Sequence, residues 1–169
     1  MDVSTFSRRI FTYRAFIQAI DDLLNRLPDL KRAARGGRVS KAFSERIMLA
    51  VTQVNGCRYC SYFHAQQALT EGISETEIRA IGDGLFDKCP AEELTALCYA
   101  QHWAETDTHP TPEARARLLE TYGEETVAQM DLALRMIRIG NLTGNLLDYI
   151  LFRLSFGLIN IDQPVKSRK

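Results

Sequence analysis

Apolar residues recur at steps of three or four along most of the chain, and this periodicity constrains the fold more than any other feature. Phe6, Ile10, Tyr13, Ile17, Ile20, Leu24 and Leu27 follow it at the start, which is one face of a helix and not the period of two that a strand needs. Pro28 ends that helix or opens the next turn. The stretch "ARGGRVSKAF" is a break with two glycines, and Ser40 is placed to cap a second helix carrying Phe43, Ile47, Ala50 and Val54. Asn55 and Gly56 both tolerate left-handed backbone angles and predict its stop.

A third helix is expected from about Cys57 to Glu71, closed by Gly72. Ser74 and Glu77 have the spacing of a capping box at the head of a short helix. Pro90 suits the first turn of another, from Ala91 to about Thr106. The segment "THPTPEARARLLETYG" reads as a turn and a short helix, and residues 124–139 as a further one. Residues 140–145, "GNLTGN", should kink or interrupt the chain before a last apolar helix over about 142–157. Their glycines suit close helix packing better than pocket lining. The polar tail "DQPVKSRK" is expected to be loose. No alternating pattern is long enough for a strand, and no glycine-rich phosphate loop or internal repeat occurs. The expectation is a single all-α domain over 1–169, of about seven or eight helices.

Composition narrows the function classes. Apolar residues make up 46% and charged residues 25%, as in an ordinary globular protein, and the 21 basic residues balance the 21 acidic ones. That balance gives no general pull toward nucleic acid or acidic membranes. "SRRIF" resembles the core of a twin-arginine export signal. An uncharged apolar stretch should follow it, and Arg14, Asp21, Asp22 and Arg26 stand there instead, so we read an amphipathic helix. Residues 142–161 approach bilayer length, but Asn145, Asp148 and Arg153 interrupt them, which favours a buried or interface helix. The reading is a cytoplasmic protein with no nucleic-acid or membrane partner.

Four cysteines without an export signal argue against a disulfide framework. A close pair in a reducing compartment is more often catalytic or metal-binding. Cys57 and Cys60 are such a pair, expected in the first turn of the third helix. Unpaired N–H groups and the positive end of the dipole stabilise a thiolate there. His64 lies one turn beyond Cys60 on the same face. Glu45 is eleven residues before Gly56 and His64 eight after it. In an antiparallel helix pair their heights differ by about three residues, roughly 4.5 Å, so the carboxylate can reach the imidazole. The layout is a thiol with a general base oriented by a carboxylate.

Glu45, Cys57, Cys60 and His64, in the pattern E-x11-C-x2-C-x3-H, resemble the signature of the AhpD-like alkyl hydroperoxidases of the carboxymuconolactone decarboxylase superfamily. The resemblance runs from about Ser40 to Gly84. It implies an all-α thiol peroxidase with Cys60 as attacking thiolate, Cys57 as resolving thiol, and His64 with Glu45 as proton relay. It implies a hydroperoxide substrate, an external dithiol or redox protein as reductant, no cofactor beyond the Cys57–Cys60 disulfide, and trimers or hexamers. In one place the chain departs from the pattern: a histidine often precedes the second cysteine in that family, and here Tyr59 follows Arg58. Both are candidate modulators. The swap puts rate and preferred substrate in question and leaves dithiol chemistry intact.

Competing readings remain. Cys57, Cys60 and His64 have zinc-ligand types, with Glu45 as a fourth ligand and Cys98 with His102 as a second half-site. That gives a zinc-stabilised interaction module. A general thiol–disulfide oxidoreductase keeps the dithiol and drops the peroxide. A decarboxylase of the same superfamily is disfavoured by the cysteine pair. Cys98 reads as a buried small hydrophobe, Cys89 as a turn residue open to solvent, His102 as a packed or surface histidine, and His109 as a loop residue. Tyr59, Tyr62 and Phe63 read as core or interface.

Overall fold

A computed structural model describes residues 6–25 and 37–156. Pro28 and the polar tail lie outside the described residues, so the expectations about them are left where they stood. Among the described residues there are six α-helices and no strand: α1 (Tyr13–Asn25), α2 (Lys41–Asn55), α3 (Arg58–Thr70), α4 (Glu75–Gly82), α5 (Leu94–Glu105, preceded by a 3-10 turn at Ala91–Glu93) and α6 (Pro112–Leu154). The all-α class is as expected, with fewer and longer helices.

The local signals explain the boundaries. Ser40 caps α2, its hydroxyl accepting from the Phe43 N–H at 3.1 Å. Gly56 ends α2 in the left-handed region, φ 70°, and returns its N–H to the Thr52 carbonyl. Cys57 then caps α3, its sulfur accepting from the Cys60 N–H. Ser74 caps α4, but the box closes only on one side: Glu77 turns its carboxylate to Arg46 at 2.6 Å. Thr111 caps α6 with Pro112 in the first turn.

Two expected boundaries fall elsewhere. Phe6 and Ile10 precede α1, which starts at Tyr13 and buries no side chain. Residues 112–154 are one helix, interrupted only at Gly123 (φ 72°, ψ 162°), and "GNLTGN" continues through it without a break. The reason lies in its neighbours. Asn141 and Asn145 are fully buried, where Asn141 accepts from the Thr52 hydroxyl. Asn145 donates to the Asn55 and Arg9 carbonyls at 2.7 and 2.9 Å. These bonds, and packing of the two glycines on α3, outweigh the poor helix propensity.

The core runs through α2 to α6. Ile47 and Val51 of α2 meet Ile81 of α4, Leu97 of α5, and Leu118 and Leu134 of α6, all with under 2% of their surface exposed. α2 is buried on most of its circumference because α3, α4, α5 and α6 all pack on it. α3 buries only Ala68, so the dithiol sits at the head of a surface helix braced from behind by α2 and α6. No described helix is long and apolar enough to cross a membrane. Several apolar side chains of α6 stay exposed, Leu147, Ile150 and Leu154 among them.

Candidate active site

The α2–α3 turn does what its sequence suggests. With Gly56 reversing the chain, Cys57 falls at the N-cap of α3 and Cys60 in its first turn. The sulfurs lie 2.6 Å apart, both as free thiols. Glu45 Oε2 meets His64 Nδ1 at 2.7 Å across the hairpin, both side chains mostly shielded from water. All four residues of the expected constellation therefore belong to one hairpin, with His64 a turn beyond Cys60.

Access and acidity divide the two thiols. Cys57 is 1% exposed, and Cys60 is half-buried. The Cys57 thiol is pulled down to about 7, first by the hydrogen bond from the Cys60 thiol and then by backbone N–H groups of the helix start, against an opposing push from burial and from Asp148. Cys60 is pushed up by that same hydrogen bond and by burial. Of the two, the inner sulfur therefore gives up its proton more readily.

Helix α6 covers the pair. A Cβ built on Gly144 would lie 2.7 Å from the Cys57 sulfur, closer than real Cβ contacts come, and one on Gly140 would lie 3.9 Å from the Cys60 sulfur. Gly144 therefore leaves the room that the Cys57 sulfur occupies, and Gly140 stands at ordinary contact distance from Cys60.

One turn past Gly144, Asp148 is wholly buried. Its Oδ1 accepts from Arg58 Nη2 and from the Tyr59 hydroxyl, each at 2.8 Å. Its Oδ2 accepts from Arg8 Nη1 at 2.8 Å. Arg8 also reaches the Gly56 carbonyl. Arg58 lies over the Tyr59 ring, 4.8 Å from its centre. The sequence reading singled out Arg58 and Tyr59 but missed Asp148 and Arg8 as their partners. A lone carboxylate within an apolar run was the available signal, since burial of such a group demands partners. The paired arginines of "SRRIF" are both held by the fold, for Arg9 donates to the Ala104 carbonyl at 2.8 Å.

The expectations for Cys98 and Cys89 need correction. Cys98 is exposed and not a core residue, because it lies on the outer face of α5 between the buried Leu97 and Tyr99. Cys89 is half-buried, packed against the core beside Arg46 and Glu77, and burial pushes its thiol up to about 12. Tyr59, Tyr62 and Phe63 are 41%, 72% and 56% exposed, which removes them from the core. His102 accepts from the Thr111 N–H and so ties α5 to the head of α6. His109 is an exposed loop residue. Among the described residues no group of three or more His, Cys, Asp or Glu side chains is arranged to hold a metal ion. A cavity of about 370 Å³ opens between α1, the α5–α6 turn and α6, near Trp103, His109, Arg135 and Arg138. No cysteine lines it.

The family model described as Carboxymuconolactone decarboxylase family matches residues 21–101, just under half of the chain, and that span holds Glu45, Cys57, Cys60 and His64. Over those residues the chain is similar to that family. The chain is also similar to the uncharacterized protein YdfG of Bacillus subtilis (strain 168), at 27% identity over 117 residues, 67% of this chain and 78% of that protein. No solved structure matches at comparable significance. The family segment ends before α6, so Gly144 and Asp148 come to the dithiol from outside it.

Proposed function

We propose that the protein is a thiol-dependent peroxidase that reduces hydroperoxides through the Cys57–Cys60 pair. The observation that carries this reading is the contact of the two sulfurs at a helix start, with a Glu45-held imidazole one turn along. The similarity of residues 21–101 to the family model supports an enzyme, and the geometry supports a dithiol one.

Cys60 is the attacking sulfur in this reading, because it is the one a peroxide oxygen can approach, while Cys57 is covered by α6. His64 takes the Cys60 proton, and Glu45 stabilises the imidazolium that forms. The thiolate attacks the peroxide, the O–O bond breaks, and the alkoxide leaves as alcohol with the proton from His64. Cys60 becomes a sulfenic acid. Cys57, already the more acidic thiol, attacks that sulfur as thiolate and expels hydroxide, which leaves as water. One hydroperoxide and two thiols give one alcohol, one water and one disulfide. An external dithiol or redox protein then returns the pair to the reduced state, which suits a cytoplasmic setting. The exposed apolar side chains of α3 and α6 support assembly into a homo-oligomer.

A general thiol–disulfide oxidoreductase is the second reading. It is favoured by Tyr59, whose hydroxyl is engaged by Asp148 and offers no base beside the pair. The deciding experiment counts free thiols after one equivalent of an organic hydroperoxide. Loss of two thiols within the mixing time, with alcohol formed, supports the peroxidase. Thiols that resist the peroxide but exchange with a small disulfide leave the second reading standing.

A further inference from the structure

We propose that Asp148 is the positioning residue of the dithiol: by holding Arg58 and Tyr59, the two residues between the cysteines, it sets the electrostatic field at Cys57 and the redox poise of the pair. This rests on the dithiol chemistry above and adds a control that lies outside the family segment.

Three observations meet at Asp148. Its side chain is wholly buried, so the carboxylate cannot be held by water and its partners are fixed by the fold. Those partners include both residues between the cysteines, in the first turn of α3, bonded to the same oxygen at 2.8 Å. The carboxylate also stands one turn beyond Gly144, the residue that touches the Cys57 sulfur. α6 thus supports Cys57 and anchors the first turn of α3 through a single face.

Among the described residues, the titratable and charged groups facing Cys57 come from four segments. Cys60, Arg58 and Tyr59 come from α3, Asp148 from α6 and Arg8 from the segment before α1. Glu45 of α2 is paired with His64 of α3 further along. Asp148 works against a thiolate on Cys57, and Arg58 and Arg8 compensate it. Removing the anion should therefore stabilise the thiolate, and removing the Arg58 cation should destabilise it. Stabilising the thiolate stabilises the reduced form and makes the disulfide easier to reduce.

The test titrates reduced protein by thiolate ultraviolet absorbance, subtracting the same titration of Cys57→Ser. It also measures the equilibrium in which the protein disulfide and two reduced glutathiones give the dithiol and one glutathione disulfide. Asp148→Asn should lower the Cys57 midpoint by about half a unit or more and shift that equilibrium about threefold toward dithiol. Arg58→Met, on a partly exposed side chain, should move both readouts the other way, and Asp148→Glu should restore most of the native values. Should Asp148→Asn fail to fold, the Arg58→Met shift decides alone. Shifts of the same sign in both variants, or no shift in Arg58→Met, overturn the proposal and leave the dithiol reading intact. A native protein that forms no disulfide with oxidised glutathione overturns both.

Discussion

Glu45 Oε2 lies 2.7 Å from His64 Nδ1, across a hairpin whose turn is a single left-handed glycine. The bond leaves the other imidazole nitrogen for chemistry and fixes the ring's orientation. His64→Gln should slow peroxide attack by about 100-fold, the usual scale of a lost general base. The deficit should be deepest below pH 7, where little thiolate forms on the pair unaided. Stopped-flow thiol loss across pH measures it. An unchanged profile removes His64 from the reaction.

Single cysteine variants separate the two sulfurs. Cys60→Ser should abolish peroxide consumption. Cys57→Ser should consume one equivalent and then stop, with a sulfenic acid on Cys60 that a dimedone adduct reports by mass. If Cys57→Ser is the dead variant and Cys60→Ser holds the adduct, the buried sulfur attacks and the roles reverse.

The reduced protein should gain stability as pH rises from about 7 toward about 9. Cys57 has a folded value depressed to about 7 from the ordinary 9.0, so its contribution is present above 9 and lost as pH falls through 7. Cys60 is raised, so its contribution is full below 9 and declines above it. The result is a maximum near pH 9, on the order of 2 kcal/mol above the value at pH 6. Urea midpoints of the reduced protein measured against pH test this. In Cys57→Ser the rise should vanish.

The two glycines of α6 that face the sulfurs, Gly140 and Gly144, should respond oppositely to alanine. At Gly144 the new methyl meets the Cys57 sulfur at 2.7 Å, and overpacking of that kind costs about 1–3 kcal/mol. At Gly140 the nearest atom is 3.9 Å away, so the helix-propensity gain of up to about 1 kcal/mol remains. Denaturant unfolding of Gly144→Ala and Gly140→Ala gives the comparison. Equal stabilities would place α6 further from the sulfurs than described.

Much of this site could be read from the chain because its parts are local. Glu45, Cys57, Cys60 and His64 sit within one hairpin, where helical rise and one turn glycine fix who faces whom. The all-α class was equally legible from periodicity. What could not be read depends on distant chain segments. Asp148 finds Arg58 across ninety positions and Arg8 across 140, and nothing in the local pattern pairs them. The continuity of α6 through Gly140 was hidden for a similar reason. Propensity argued for a break, and the buried bonds of Asn141 and Asn145 to α2 prevailed. Cys98 was misplaced because its apolar neighbours in sequence face the other way on α5.

Gly140, Gly144 and Asp148 recur every fourth residue on one side of α6. A helix that slid by one turn, about 5.4 Å, toward its own start would bring a carboxylate onto the Cys57 sulfur where a bare backbone now lies. Arg8, Arg58 and Tyr59 would lose their acceptor in the same movement. The stripe therefore works as a combination with one setting: a misassembled copy of the protein would have a silenced thiol as well as a poorer core.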